Sequence, residues 1–333
     1  MVDMDSLLCD VRFVEALPIG RRKDSGAKRN EKAGACSDSP KNEVSRMRFS
    51  SRRSDHTVSN WWRQIVGGAV LMISICACGH APYTQRRQLL FTEEREEIAV
   101  GEQQYQQLLD ELVLNYDPEA NRIVRTISQR LAKVLDKPNY LWEIVVIDAP
   151  ETVNVWVLPG GKVGVCIGVF PVAQDEAGLA VLVAHAVAHA IARHQGEKNA
   201  RDVLFELGSM AVTFAPDVLR QAYSLGTGLG VILPFGQVQE AEADHIGILL
   251  AAKAGYDPRG VSDLWNRMQR AQANQEQPLA WFTTHPLYEH REQQIEQAVR
   301  EALPIYDASV QVPSSQLPPL QNLERPLPGK TGK

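Results

Sequence analysis

The run Val181-Leu-Val-Ala-His-Ala-Val-Ala-His-Ala-Ile-Ala-Arg-His194 constrains this chain more than any other stretch. It is apolar, rich in alanine and free of proline, so it reads as a buried helix. On a helix, His185 and His189 lie four residues apart and project from one face, one turn above the other. That spacing lets two imidazoles hold one zinc ion, and in H-E-x-x-H the Glu after the first His activates the attacking water. Here Ala186 stands in that place. Both ligands are present and the base is absent. Taken alone, two helix histidines also fit a core or solvent-facing role, and the residues that decide lie further along the chain.

The length of 333 residues allows one large domain or two small ones. Net charge is -5, unevenly placed: residues 1–77 hold 13 Lys and Arg against 9 Asp and Glu, and the remainder 22 against 31. The acidic body offers no footprint for a phosphate backbone, so no nucleic acid is expected as a partner. The cysteines Cys9, Cys36, Cys76, Cys78 and Cys166 form no C-x-x-C pair and no zinc-finger spacing. Cys166, the only one in the body, falls in the apolar run Val163–Phe170 and reads as a buried, inert thiol.

Residues 1–59 are polar, rich in Ser, Lys and Arg, and without sustained periodicity. They read as a disordered leader. Met47, followed by Arg48, Arg52, Arg53 and Arg63, is an alternative start that would leave a normal basic flank. Residues 60–77 then read as a lipoprotein-type signal peptide, whose apolar core of roughly eleven residues is too short to span a bilayer comfortably. Ile75-Cys-Ala-Cys78 resembles a lipobox and would place a lipid on Cys78. A short membrane anchor or a buried helix also fits this segment. Gly79 rather than Asp after the cysteine points to the outer membrane, where a lipid anchor would hold a soluble domain at the surface.

The body opens with two helical stripes, Ile98-Tyr105-Leu109-Leu112 and Ile123-Ile127-Leu131-Val134, the second begun by Asp117-Pro118. From Leu141 the period changes. Leu141–Asp148, Asn154–Leu158 and Lys162–Phe170 read as strands, the last two flanking Pro159-Gly160-Gly161. Gly164 and Gly168 point to close backbone approach or a bulge. A strand edge beside the histidine helix would suit an extended peptide, and a purely structural sheet fits equally. Asp175 and Glu176 open the histidine helix; His194, five residues past His189, is expected to point away from the pair.

Residues 200–214 read as another helix and 225–235 as an irregular stretch. The next helix carries Gln239-Glu-Ala-Glu-Ala-Asp-His-Ile-Gly247, with Glu240 and Asp244 on one face and Glu242 on another. Its other positions are largely apolar, so inward carboxylates there need a metal or an imidazole N–H as partner. Gly255 ends it, and Asp257-Pro258 begins another. His285 lies on a loop before Pro286, and a last amphipathic helix runs to about Ala302. The Pro-rich residues 303–333 are expected to be a disordered tail, or a partner-binding segment.

Taken in order, Glu97–Glu102, Asn154 with Leu158-Pro-Gly-Gly161, the histidine helix, Gln239–Gly247, and Thr284-His-Pro286 with Arg291 resemble the HtpX-like gluzincin metallopeptidases. The likeness is to their soluble BepA/LoiP-type periplasmic branch. It covers most of the stretch 78–302, which becomes a zinc metallopeptidase domain. The resemblance implies an α+β, mainly helical zincin-type fold with a small β-sheet and the H-x-x-x-H helix at its centre. It implies one zinc per chain on His185, His189 and Glu240, Asp244 orienting a ligand histidine, and His285 with Arg291 as a late catalytic pair. The expected activity is zinc-dependent endopeptidase action on envelope polypeptides at the periplasmic face of the bacterial outer membrane. Ala186 departs from the pattern at the general base, whose loss typically costs ~10²–10⁴ in rate. The chain is thus an impaired or inactive enzyme, engineered or natural, or a non-enzymatic zinc-containing binding and assembly factor. A different carboxylate acting as base is the remaining possibility.

Overall fold

The computed structural model describes residues 78–212, 233–275 and 279–323. The leader, the signal peptide and part of the 225–235 stretch lie outside the described residues, as does the side chain of Cys78. At the start, β1 (Cys78–His80) and β2 (Arg87–Leu89) pair antiparallel in a hairpin that the sequence pattern does not announce. Helices α1 (Glu94–Glu111) and α2 (Pro118–Val134) follow; the Asp117 carboxylate accepts from the Ala120 N–H to cap the second.

The sheet has the order β3 (Glu143–Ile147), β5 (Lys162–Cys166), β4 (Val155–Leu158). β3 runs parallel to β5 and β4 antiparallel. The third strand is shorter than its apolar run implies. At Ile167 the chain turns into a 3₁₀ segment and then the short α3 (Phe170–Ala173), which Pro171 is suited to start. Close approach at Gly164 is real. A Cβ there would sit 2.2 Å from the Trp156 indole, which lies across the strand from it.

Helix α4 (Glu176–Ile191) is apolar on every side and buried along nearly its whole length, as such a helix must be. Each of Leu179, Leu182, Val183 and Ile191, all buried, contributes roughly 1.5–3 kcal/mol by leaving water. The helix ends at Ile191. Arg193 adopts φ 56°, and α5 (His194–Val212) departs at 50°. Glu97 of α1 clamps the break by accepting from the Arg193 guanidinium at 2.8 and 3.0 Å.

Helix α6 (Leu233–Lys253) packs along α4, followed by α7 (Val261–Ala273), the short α8 (Ala280–Thr284) and α9 (Arg291–Asp307). Among the described residues no single helix is long and apolar enough to cross a membrane. The fold is thus mainly helical with small sheets, as expected.

The expected disordered tail from 303 is corrected over its first part. α9 continues to Asp307, and residues 309–323 form a strap across the start of α4. The Ser315 carbonyl accepts from Glu176 N–H (2.9 Å) and Ser314 Oγ from Ala177 N–H (3.0 Å), while the Asp175 carboxylate takes Gly178 N–H. Three otherwise orphaned donors of the buried helix start are satisfied in this way. The physical reason for the order is that need, which composition alone does not reveal. Residues 324–333 lie outside the described residues.

Candidate metal centre

Helix α4 presents His185 and His189 toward α6, and the two helices approach closely at Gly247. A Cβ on that glycine would meet the His185 backbone at 2.8 Å. Through that contact Glu240 of α6 reaches the histidines, and the turn after α8 brings His285 against them. One ligand atom from each of His185, His189, Glu240 and His285 lies within 4.8 Å of the others. His185 Nε2 is 3.1 Å from His189 Nε2, 3.6 Å from Glu240 Oε2 and 3.4 Å from His285 Nδ1. Glu240 Oε1 is 3.4 Å from His189 Nε2 and 3.3 Å from His285 Nδ1. A tetrahedral ion with metal–nitrogen bonds of ~2.0–2.1 Å separates its donors by about 3.3 Å.

The proton positions point the same way. His185 Nδ1 lies 2.9 Å from Asp244 Oδ1, an acceptor only, so this nitrogen carries the proton and Nε2 is a lone pair. His194 Nε2 lies 3.0 Å from Glu242 Oε2 and donates to it, which leaves His194 Nδ1 to accept from His189 Nδ1–H at 2.8 Å. His189 Nε2 is therefore a lone pair as well. Two imidazole lone pairs face each other at 3.1 Å, an arrangement that repels unless a cation sits between them. The donor set fits a metal ion, and its hard and borderline ligands fit zinc.

Charge is arranged around this centre by burial and ion pairs. Desolvation lowers the basicity of His185 against the pull of Asp244, and lowers that of His189 well below the usual imidazole range, which favours the neutral ring on both. Burial drives His285 down to about 3, with Arg291 adding to the effect. Burial also pushes Glu240 up to about 7, although His185 and Arg291 pull the other way. For Asp244 the same burial is outweighed by Arg291 and the His185 N–H, which hold it at about 2.

Sequence expectations sort cleanly here. His185, His189, Glu240 and Asp244 come together as expected, and His285 Nδ1 enters the donor group itself. Arg291 does not line the cleft. It is 1% exposed, donates to both Asp244 oxygens and Glu240 Oε2 and to the carbonyls of His285 and Pro286, and stacks 4.3 Å from the Trp265 ring. It therefore organises the centre from behind. His194 does not point away from the pair, because the break at Arg193 swings it back onto His189. A signal for this exists only in the third dimension, since a continuous helix places i+5 elsewhere.

A cleft of about 440 Å³ opens on the centre, lined by Ala186, His189, Glu240, His285 and the β4 backbone from Val155 to Val157. β4 is the outer strand of its sheet. Cys166 N–H donates to the Asn154 carbonyl and Trp281 N–H to that of Val153. This phase turns the peptide groups of Val155 and Val157 away from β5, and both residues line the cleft. Ala186 is buried and lines the same cleft, presenting a methyl group where the pattern calls for a carboxylate. Glu97 lines it too, but is held by Arg193 and Thr92.

An apolar helix carrying H-x-x-x-H, a carboxylate from the next long helix and an open strand edge define a metallopeptidase domain. The chain belongs to peptidase family M48, whose family model matches residues 118–299. It is 32% identical over 242 residues to the mitochondrial metalloendopeptidase OMA1 of Schizosaccharomyces pombe, covering 72% of this chain and 71% of that one. The human mitochondrial metalloendopeptidase OMA1 matches at 28% identity over 73% of this chain and 48% of its own length. The beta-barrel assembly-enhancing protease of Yersinia pestis matches at 26% over 59% of this chain and 42% of its own. The relatives matched over more than two thirds of this chain are mitochondrial metalloendopeptidases, which overturns the expected location at the periplasmic face of a bacterial outer membrane.

Proposed function

We propose that this chain is a zinc metalloendopeptidase scaffold that binds extended polypeptide but, as written, hydrolyses it feebly or not at all. The observation that carries the reading is the convergence of His185 Nε2 and His189 Nε2 at 3.1 Å, closed by Glu240 oxygens at 3.6 and 3.4 Å. Two His and one Glu with a further position is the donor set of a catalytic zinc. A zinc ion there would polarise a peptide carbonyl and make water a better nucleophile. The chain supplies the rest. His185, His189 and Glu240 would hold the ion, and Asp244 fixes the His185 tautomer. The outward peptide groups of Val155 and Val157 would pair with a substrate strand. His285 Nδ1 stands at the fourth corner of the donor group. The Ala186 methyl cannot accept a proton, so the step a base performs is unsupported.

Ala186 also favours a second reading, a zinc-containing binding or assembly factor that holds polypeptide without cleaving it. Zinc content and casein cleavage, measured for the chain and for Ala186→Glu, separate the two. One zinc in both, with activity only in the Glu form, supports the peptidase scaffold. Equal zinc with no activity in either supports the binding factor. Absence of zinc from both would overturn the metal centre itself.

A further inference from the structure

A second buried network lies behind His189, and its far end is the N-terminal hairpin. His194 and Glu242 are 4% and 5% exposed. Beyond Glu242 stands Arg86, in the turn leading into β2, which donates to Glu242 Oε2 through Nε (2.9 Å) and Nη2 (2.7 Å). The same guanidinium reaches both Glu197 oxygens at 2.7 Å, and the Thr84 hydroxyl donates to Glu242 Oε1. Gln88 of β2 donates to the Ala192 carbonyl at 2.6 Å, on the break that aims His194. Gln239 donates to the His194 carbonyl at 3.2 Å and to Glu197 at 3.1 Å. Every acceptor on the two carboxylates is met. The network meets the cleft at His189, His194 and Gln239, and its outer end is the partly exposed Arg86.

We infer that His194 is a positioning residue for the metal ligand His189, and that Glu242 and the hairpin's Arg86 complete the unit that fixes it. A ligand histidine needs its second nitrogen protonated and anchored, or the ring turns and its lone pair leaves the metal. Here the anchor is an imidazole, which can accept from His189 only while its own proton sits on Nε2 facing Glu242. Glu242 fixes that tautomer, and Arg86 with Thr84 fixes Glu242. Segment 84–88, more than a hundred residues before α6 in sequence, thereby becomes part of the metal centre. This inference rests on the metal-centre reading above and assigns it a positioning set that the histidine-helix pattern does not contain.

The test is zinc affinity by chelator competition on the full chain, with thermal unfolding of the metal-free form alongside. His194→Leu keeps bulk and removes the acceptor, while His194→Gln restores an acceptor oxygen. Loss of such an anchor costs about 10–100-fold in metal affinity, expected for Leu and for Glu242→Gln, with Gln at His194 recovering most of it. Arg86→Gln should weaken zinc by about 2–10-fold, being one step further from the ligand. A Leu variant that binds zinc as tightly as the chain itself overturns the inference. So does equal weakening by Leu and Gln, since that would be a packing effect. If His194→Leu fails to fold, Glu242→Gln decides by the same criterion. Unchanged affinity in Arg86→Gln would remove the hairpin from the unit. A starting chain that binds no zinc would overturn the metal centre instead, a result distinct from all of these.

Discussion

Each helix histidine of the centre is backed by a carboxylate, but the two backings are built on different plans. Behind His185 the support is direct. Asp244 accepts from Nδ1–H at 2.9 Å, and buried Arg291 grips both Asp244 and Glu240. Behind His189 the support is relayed, through His194 to Glu242 and on to Arg86, whose side chain is 23% exposed. The direct side is a helix–helix device sealed under Trp265. The relayed side draws on α5, α6 and a hairpin, and lies nearer the surface. The difference teaches that one half of the site is as rigid as the core, while the other depends on an outlying element staying docked.

The largest effect should come from the residue between the two sides. Ala186→Glu places a carboxylate in the cleft beside both ligands, and with both backings intact casein hydrolysis should rise by ~10²–10⁴. No gain despite bound zinc would mean that the site is not held in a competent geometry. Next in size, Arg291→Met should cost about 3–5 kcal/mol in urea unfolding, because it strands two buried carboxylates. Arg86→Met should cost less, about 1–3 kcal/mol, since Glu242 keeps His194 and Thr84 as donors and Glu197 keeps Gln88 and Gln239. Equal losses would erase the distinction between the two sides.

The pH response sharpens it further. Burial lifts Glu240 to about 7, so below that value a metal must displace its proton, and zinc affinity should fall by about tenfold per pH unit on acidification. Above 7 the dependence should flatten, as His185 and His189 are already neutral. Asp244 and Glu242 are both held at about 2 despite burial, the first by Arg291, the second by His194, Thr84 and Arg86. Neither carboxylate therefore titrates in this range, and a break well below 7 in chelator competition would contradict the assignment. The smallest effect is remote. Ser314→Ala removes one acceptor from the start of α4 and should cost about 1 kcal/mol in thermal unfolding without changing zinc stoichiometry.

Much of the direct side was legible because it follows helical period. His185 and His189 are four apart, Glu240 and Asp244 are four apart, and the apolar surroundings make inward carboxylates conspicuous. The relayed side was hidden by a backbone event. Arg193 in the left-handed region breaks the chain after α4 ends at Ile191, so counting along one helix misplaces the His194 ring. Glu242 was set on another face correctly, but α6 is buried on both faces, and what covers the second is a hairpin with only three residues per strand. Arg291 is legible by motif, but its burial against Asp244 and Glu240 is not, because sequence order says nothing about which side of a centre a side chain occupies. The strap was missed for a related reason: Pro-rich composition speaks to the lack of a core, not to backbone donors elsewhere that need acceptors.

That strap has a consequence for how the molecule is made. The start of the metal helix is finished by residues 314 and 315, which are synthesised well over a hundred residues after it. A nascent chain paused anywhere before them carries both histidines on a helix whose first turn still bonds to water. Completion of that helix start thus waits on a segment made long after the histidines, and a fragment ending before it would carry His185 and His189 without the finished helix.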